Sequence, residues 1–381
     1  MYKMNSYLKK MYCLRCGSQY EIKDYHTGCP SCLKDGYPVN LSFKYEGKQK
    51  IRKDKSRMFR YQDFLPYESF PTLGEGNTPV IEVKRLADNL NLNKVYIKNE
   101  FQNPTGSHKD RMSPFAVARA VSLGKKCVVA ASSGNAGASL AAYAAAAGIK
   151  CKIITTRKMN PIWKKAIELP GAELVLMNTP QERWPYMQKM VEQEDWYPVT
   201  NFVTPPVGSN PFGIQGYKTI SYEIYEELSN EMPHFILIPS CRADLLWGVY
   251  EGFKDLFDFG LIQDIPRLIA VEPFPRISKI LDGEDYRNTF LGDSSSTVSI
   301  GGDTVTYQAI AAIKLSKGTA SNIVQNKVAE YRLELAKLGF YLESSAATII
   351  GSLAELVADQ TVPQGASVLM IATSNGYKDV P

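Results

Sequence analysis

The feature that most constrains the fold is a repeated alternation of short apolar runs with helix-compatible stretches from about Val95 onward. The apolar runs are CVVAA, CKIIT, ELVLM, FILIP, RLIAVEP and SVLMIAT. Such alternation predicts mostly parallel sheets with helices on their faces. The clearest helix follows Asn135, because AGASLAAYAAAA is rich in the best helix former and Gly148 stands where a helix-ending glycine belongs. Further helices are predicted at residues 215–229, 243–258, 323–337 and 344–358.

Composition bounds the class of protein. The 381 residues are 44% hydrophobic and 22% charged, which suits two packed domains and not a disordered chain. The net charge of +5 forms no basic run, so nucleic acid is not an expected partner, whereas small anionic substrates are compatible with it. The opening residues MYKMNSYLKK lack the apolar core of a signal peptide, and no later run has the length of a membrane span. We therefore expect a cytoplasmic protein with no membrane association.

Four of the seven cysteines lie close together near the N-terminus. They form two C-x2-C pairs, Cys13 with Cys16 and Cys29 with Cys32. Two such pairs supply the four sulfur ligands that structural zinc prefers, and with all coordination positions filled by protein the metal would have no catalytic role. The alternative is a redox C-x-x-C pair, which two pairs at this spacing disfavour. His26 is interpreted as a loop residue and not as a ligand.

The segment Asn103-Pro-Thr-Gly-Ser-His-Lys-Asp-Arg111 presents Lys109 after a turn and before a predicted helix. A lysine in a polar loop is ordinarily just solvated. This segment, however, resembles the Schiff-base motif of the threonine synthase branch of the tryptophan-synthase-β (fold type II) family. The resemblance implies that Lys109 binds pyridoxal 5'-phosphate covalently and then acts as an acid and base.

A second motif, SSGNAGASLAAYAA, begins at Ser132 and is similar to the family's substrate-carboxylate loop. Its chemistry suits an anion, because Ser132 and Ser133 offer hydroxyls, Gly134 permits close approach, and a helix N-terminus follows. By resemblance, Asn135 lies beside the cofactor ring. Without Lys109, a simple capped helix would explain the segment equally well.

Two further segments extend the resemblance. SNPFGIQGYKT, residues 209–219, looks like the family segment that runs into a helix and leads the chain back to the large domain. Gln215 stands where glutamate is more usual in that segment. ATSNGYKD, residues 372–379, resembles the closing turn in which a hydroxyl meets the pyridine nitrogen. The resemblance implies that the Thr373 hydroxyl bonds the pyridine nitrogen of the cofactor, with Ser374 as the second choice. A neutral hydroxyl at that nitrogen favours elimination and replacement over transamination.

The sequence departs from the family after FILIP, where a glycine-rich loop normally cradles the cofactor phosphate. Here the residues are Ser240-Cys-Arg-Ala-Asp244. We expect Arg242 to replace part of the cradle by a charge-assisted contact, helped by the Ser240 hydroxyl. Asp244 is a candidate cap of the next helix, and its charge would then repel an anion. His108 replaces the usual aromatic residue before the lysine and is interpreted as filling space.

The implied fold is an α/β, fold type II enzyme with two α/β domains of mostly parallel sheets and an N-terminal four-cysteine zinc ribbon. The predicted boundaries are 1–45 for the ribbon, 46–115 for an arm and the first part of the large domain, 116–218 for the small domain, and 219–381 for the rest of the large domain. The oligomeric state is left open, with a homodimer as one option.

By resemblance, the expected reaction is that of threonine synthase, in which water replaces phosphate on O-phosphohomoserine. The substrate is thus a phosphorylated amino acid, and the candidate contacts to its phosphate are Ser107, Arg111 and Lys218. One alternative is a related enzyme of the cysteate synthase or serine/threonine dehydratase type. The other is a non-catalytic binding or assembly protein on the same fold, which the missing phosphate glycines favour and Lys109, Asn135 and Thr373 oppose.

Overall fold

The computed structural model describes residues 1–229 and 231–379. Its strands, numbered in chain order, are β1 Leu8–Cys13, β2 Gln19–Tyr20, β3 Leu41–Tyr45, β4 Val80–Glu82, β5 Lys94–Lys98, β6 Cys127–Ala131, β7 Lys150–Thr156, β8 Glu173–Met177, β9 Tyr197–Pro198, β10 Phe235–Pro239, β11 Arg267–Glu272, β12 Thr319–Asn322 and β13 Ser367–Ile371. Its helices are α1 Pro30–Lys34, α2 Lys84–Leu90, α3 Ser113–Ser122, α4 Asn135–Ala147, α5 Pro161–Glu168, α6 Arg183–Gln193, α7 Pro211–Ile214, α8 Lys218–Leu228, α9 Asp244–Asp258, α10 Ile277–Leu281, α11 Tyr307–Leu315, α12 Val328–Lys337 and α13 Ser344–Ala358. Short 3-10 turns include His108–Arg111 and Gln215–Tyr217.

The strands predicted from apolar runs are confirmed. CVVAA, ELVLM and FILIP coincide with β6, β8 and β10, and the other runs overlap β7, β11 and β13. Helix α4 ends at Ala147, and Gly148 follows with a left-handed φ of +68°. α13 has the predicted bounds.

Three predicted helix starts were wrong. The helix expected from Ala243 begins one residue later, at Asp244. The helix expected from Ile323 begins instead at Val328. The Ile323 N–H continues the pairing of β12 with β11 by donating to the Glu272 carbonyl at 3.2 Å, so this stretch is extended. The helix expected from Gln215 opens as the tighter 3-10 turn Gln215–Tyr217 before α8 begins.

One compact unit comprises Met1–Asn77, Asn103–Thr105 and Lys109–Thr219. Among its described residues, β2-β1-β3 form a three-stranded antiparallel sheet and β8-β7-β6-β9 a four-stranded parallel sheet. Val129 of β6 and Ile154 of β7 are fully buried in the core of the parallel sheet. Since parallel strands end at the same edge, the loop between β6 and α4 lies at the carboxyl edge of this sheet.

The second unit comprises Thr78–Gln102, Gly106–His108 and the described residues from Ile220 onward. Within them, six strands pair in the order β12-β11-β10-β13-β5-β4, all parallel except β4 with β5. The residues of β10 and β13 are all buried, which explains their continuous apolar runs. Because β10 and β13 are parallel, the segments that follow them start at the same edge of the sheet.

Across residues 1–229 and 231–379, no helix has the length and apolar character needed to cross a membrane.

Candidate active site

Lys109 lies on the 3-10 turn His108–Arg111, and the neighbouring carboxylate shapes the chain before it. Asp110 accepts hydrogen bonds from both the N–H and the hydroxyl of Thr105, each at 2.6 Å. Asp110 is fully buried, whereas Lys109 is half-buried. The lysine is thus presented on a turn whose geometry is fixed by partly buried hydrogen bonds.

The amine of Lys109 meets a residue that the sequence analysis did not single out. Its Nζ donates a hydrogen bond to the hydroxyl of Tyr217 at 3.2 Å. Tyr217 lies inside the motif at residues 209–219, but nothing in that motif indicates that its side chain reaches a lysine 108 positions earlier. Only the folded chain reveals this contact.

The turn of Lys109 is tied to helix α4. The Ser113 hydroxyl donates to the Lys109 carbonyl at 3.3 Å and lies 2.7 Å from the Ser139 hydroxyl. Ser139 is four residues after Asn135, so both lie on one face of α4. Asn135, which is itself buried, therefore projects from the face of α4 that is bonded to the lysine turn.

The predicted carboxylate loop lies at the N-terminus of α4. The Ser132 hydroxyl accepts from the N–H groups of Gly134 at 3.3 Å and Gly137 at 3.0 Å, so its proton remains to be donated. The Ser133 hydroxyl lies 2.9 Å from that of Thr155. This arrangement places two serine hydroxyls and a glycine at a helix N-terminus, a combination that can bind an anion.

A cation that the sequence analysis missed also borders this loop. Nη1 of Arg183, the first residue of α6, donates to the Ser133 hydroxyl at 3.4 Å. No motif marks Arg183 in the sequence. Its position adds positive charge next to the predicted carboxylate loop.

In the second unit, the segment just before Lys109 is bonded to the turn after β13. Ser107 and Ser374 form an antiparallel bridge, and the His108 N–H donates to the Thr373 carbonyl at 2.9 Å. Gly106 has φ +80°, and a Cβ there would lie 2.2 Å from Nδ2 of Asn375, so glycine is required. This pairing places residues 106–108 beside the turn that follows β13.

The hydroxyls of this paired segment differ in how they are bonded. Ser374 donates to the Gly106 carbonyl at 3.2 Å. The Ser107 hydroxyl is buried and makes no hydrogen bond to any described residue. Such an orphaned buried hydroxyl is the kind of group that a bound molecule satisfies.

The segment Ser240–Asp244 keeps a backbone suited to glycine although it contains none. Ala243 is left-handed, with φ +65°, a conformation normally left to glycine. The expectation that Asp244 caps α9 was wrong. Asp244 is the first helical residue, and its carboxylate instead accepts from Gln308 at 2.8 Å.

A glycine does reach this loop, but from a distant part of the chain. A Cβ at Gly302 would lie 2.8 Å from the Cys241 sulfur and 3.0 Å from Nη2 of Arg242. Fully buried Arg276 donates to the carbonyls of Ser240, at 3.0 Å, and of Gly302. Gly302 and Arg276 thus hold the loop that carries Arg242.

The loop is electropositive. Burial raises the pKa of the Cys241 thiol, but the charges of Arg242 and Arg276 and the Gly302 N–H act in the opposite direction. The net result is a pKa below the ordinary value for cysteine. A field that favours a thiolate also favours another bound anion at this place.

Two residues that were predicted to contact the substrate phosphate form hydrogen bonds with other protein groups instead. Arg111 is fully buried, and its guanidinium donates to the Thr219 hydroxyl at 2.9 Å. The Lys218 ammonium donates to the Phe64 carbonyl at 3.0 Å and lies 4.6 Å from the ring centre of Tyr45. Both cations therefore have structural partners within the first unit.

The four predicted metal ligands come together at the end of β1 and the start of α1. Cys13 and Cys32 have their sulfurs 3.6 Å apart, Cys16 and Cys29 theirs 3.7 Å apart, and all four lie within 4.8 Å of one another. A tetrahedral ion with bonds of about 2.3 Å would set the sulfurs about 3.8 Å apart. The cluster therefore has the dimensions of a four-sulfur metal site.

Comparison with known proteins identifies the family. The model of the pyridoxal-phosphate dependent enzyme family matches residues 71–374. Threonine synthase of Methanocaldococcus jannaschii is 29% identical over 96% of this chain and 92% of its own length. Threonine synthase of Synechocystis is 30% identical over 84% of this chain and 82% of its own length.

Solved structures agree on the fold. Threonine deaminase isoform 2 from Solanum lycopersicum matches with a TM-score of 0.66 and 21% identity, covering 78% of this chain and 79% of that one. O-acetylserine dependent cystathionine beta-synthase from Helicobacter pylori matches with a TM-score of 0.63 and 22% identity, covering 85% of this chain and 96% of that one. With the lysine turn, the serine-rich loop and the α/β sheets in place, the chain belongs to the pyridoxal-phosphate dependent enzyme family.

Proposed function

We propose that this chain catalyses the threonine synthase reaction, in which water replaces phosphate on O-phosphohomoserine and yields threonine and phosphate. The observation that carries the proposal is the half-buried amine of Lys109, held on a fixed turn and tied through Ser113 to the helix that begins at Asn135. The similarity to threonine synthases over 96% of the chain supports the choice of reaction.

The residues present fit pyridoxal phosphate. Lys109 offers the amine, and Asn135 lies on the face of α4 that is bonded to the turn of Lys109. In the second unit, Ser240 and Arg242 would hold the phosphate, and Thr373 the ring nitrogen. Thr373 is preferred over Ser374 because the Ser374 hydroxyl already donates to Gly106. When bound, the cofactor supplies an electron sink for bonds at the substrate α-carbon.

The chain's own groups would bind the substrate and move its protons. Ser132, Ser133 and the backbone at Gly134 would bind the carboxylate at the N-terminus of α4. The Nζ of Lys109 would take the proton from the substrate α-carbon and would also transfer a proton at the substrate β-carbon. Of the proposed phosphate contacts, Ser107 has an unpartnered hydroxyl, whereas Arg111 and Lys218 act chiefly by holding neighbouring elements.

A substrate panel tests the proposal. Purified protein with pyridoxal phosphate is given O-phosphohomoserine, O-phosphoserine, serine or threonine, and phosphate, ammonia and keto acid are measured. We expect phosphate release and threonine formation from O-phosphohomoserine alone. Ammonia from serine or threonine would instead assign a dehydratase. No turnover and no covalent cofactor would assign a binding protein.

The cysteine cluster is proposed to hold one structural zinc ion. The backbone N–H groups of Arg15 and Cys16 point at the Cys13 sulfur, at 3.4 and 3.5 Å, as expected around a thiolate. Burial raises the pKa of the Cys13 thiol, and a bound cation would offset this effect by stabilising the thiolate. All four ligand positions are protein sulfurs, which assigns the ion to stability and not to catalysis.

Replacing Arg242 tests the phosphate contact. Arg242→Ala removes a charged donor from an electropositive loop, and we expect pyridoxal phosphate to bind about tenfold to hundredfold more weakly. Absorbance titration of apoprotein measures the affinity. Arg287→Ala, which removes an arginine paired with Asp285 on another loop, serves as the control. Parent-like affinity of Arg242→Ala would mean that other groups hold the phosphate.

A further inference from the structure

We propose that Tyr217 is a second catalytic residue, whose phenol oxygen stabilises Lys109 while that lysine carries a proton. This inference rests on the proposed role of Lys109 and extends it. The Nζ of Lys109 lies 3.2 Å from the Tyr217 hydroxyl oxygen, whereas it lies 5.6 Å from the ring centre. The contact is therefore a hydrogen bond at the hydroxyl and not an interaction with the ring face.

The turn that carries Tyr217 packs directly on the backbone of the lysine turn. A Cβ at Gly216 would lie 1.8 Å from the carbonyl oxygen of Arg111, so only glycine permits this approach. Arg111 donates to the Thr219 hydroxyl at 2.9 Å, and that hydroxyl donates to the Gly216 carbonyl at 2.7 Å. These buried contacts fix the distance between the two turns.

The opposite side of the same turn is also held. Gln215 donates from Nε2 to the Ser42 hydroxyl and accepts from the Tyr45 hydroxyl at Oε1, both at 3.2 Å. Ser42 and Tyr45 belong to β3. With both sides bonded, Tyr217 has little freedom to turn away from Lys109.

The Tyr217 hydroxyl can serve as an acceptor for the lysine. Tyr217 is fully buried, and its hydroxyl donates to the Met112 sulfur at 3.4 Å. A thioether is a weak acceptor and uses only the proton of the hydroxyl. The same oxygen accepts the hydrogen bond from the Lys109 amine.

This geometry matters when Lys109 holds a proton taken from the substrate. An ammonium group in a half-buried site is costly unless its N–H groups are bonded. Bonds that involve a charged donor are stronger than neutral ones, so the phenol oxygen stabilises the protonated lysine more than the neutral one. Tyr217 would thus make Lys109 a stronger base.

The test uses Tyr217→Phe, which keeps the ring and removes the acceptor. Apoprotein is acetylated with acetic anhydride across a pH series, and the extent of labelling at Lys109 is measured by peptide mass spectrometry. We expect half-maximal labelling about one pH unit lower than in the parent. Tyr197→Phe, which removes a hydroxyl bonded to Asn210 and Asp24 in the same unit, should leave the midpoint unchanged.

Turnover gives a second readout. In Tyr217→Phe we expect kcat to fall about tenfold with KM within about twofold, and the isotope effect with α-deuterated substrate to rise, because proton transfer becomes slower. If Lys109 is not the cofactor lysine, borohydride trapping fails at Lys109. The labelling midpoint still reports the hydrogen bond between Lys109 and Tyr217.

A labelling midpoint equal to that of the parent in folded Tyr217→Phe overturns the proposal. If this variant does not fold, 3-fluorotyrosine at position 217 replaces it, since its shape is nearly the same and its more acidic phenol changes the charge and acceptor strength of the oxygen. A midpoint shifted from that of the parent supports the proposal, and an unchanged midpoint overturns it.

Discussion

Lys109→Ala is expected to lower turnover by about 10³-fold or more and to abolish the borohydride-reducible link to pyridoxal phosphate. The alanine variant loses both the covalent attachment and the group that would move the α-proton. Because Asp110 and Thr105 hold the turn through their own bonds, the fold should be retained. Peptide mass spectrometry after reduction measures the adduct, and circular dichroism checks the fold.

The control is Lys126→Ala, which removes an exposed lysine from the same unit. It should keep both turnover and the adduct at Lys109. A stable reduced adduct at a different lysine in Lys109→Ala would show that the cofactor lysine lies elsewhere. Such a result would also remove the basis for a catalytic role of Tyr217.

Cys13→Ser is expected to release the metal and to destabilise the first unit strongly. The parent should contain about one zinc ion per chain, since four sulfurs lie within 4.8 Å of one another. Structural zinc in small domains contributes roughly 10 kcal/mol or more to folding, so loss of one ligand should cost several kcal/mol here. Metal analysis and thermal unfolding measure the two effects.

The ribbon also supports the site through β3. Cys13 pairs with Leu41 in the sheet, and the neighbouring Ser42 accepts a hydrogen bond from Gln215, two residues before Tyr217. We therefore expect Cys13→Ser to keep the covalent link at Lys109, whose own turn is intact, but to turn over more slowly. Cys127→Ser, which changes a cysteine outside the cluster, should retain the metal. Metal-free protein with the full thermal stability of the parent would contradict a structural zinc ion.

Several features were predictable from short stretches of sequence. The spacing of the C-x2-C pairs predicted four ligands that the structure brings within 4.8 Å. Apolar runs predicted β6, β8 and β10, and Gly148 marked the end of α4. These features depend on turn geometry, side-chain periodicity and helix capping, which involve residues a few positions apart.

The roles of individual cations could not be predicted in this way. Arg111 and Lys218 have the charge of phosphate ligands, but the folded chain gives them buried partners in Thr219 and Phe64. Charge and motif position describe what a side chain can bind. Which partner it reaches depends on packing between segments far apart in sequence.

The sequence by itself predicted the α/β class, the four clustered cysteines and Lys109 as the candidate cofactor lysine, because each prediction rests on residues a few positions apart. Only the tertiary structure decided that Tyr217 meets Lys109 and that Gly302 packs against Cys241 in the loop after β10. Both contacts join residues more than 60 positions apart. They exist because packing of sheets, helices and turns places these segments together, and no pattern within either segment specifies that placement.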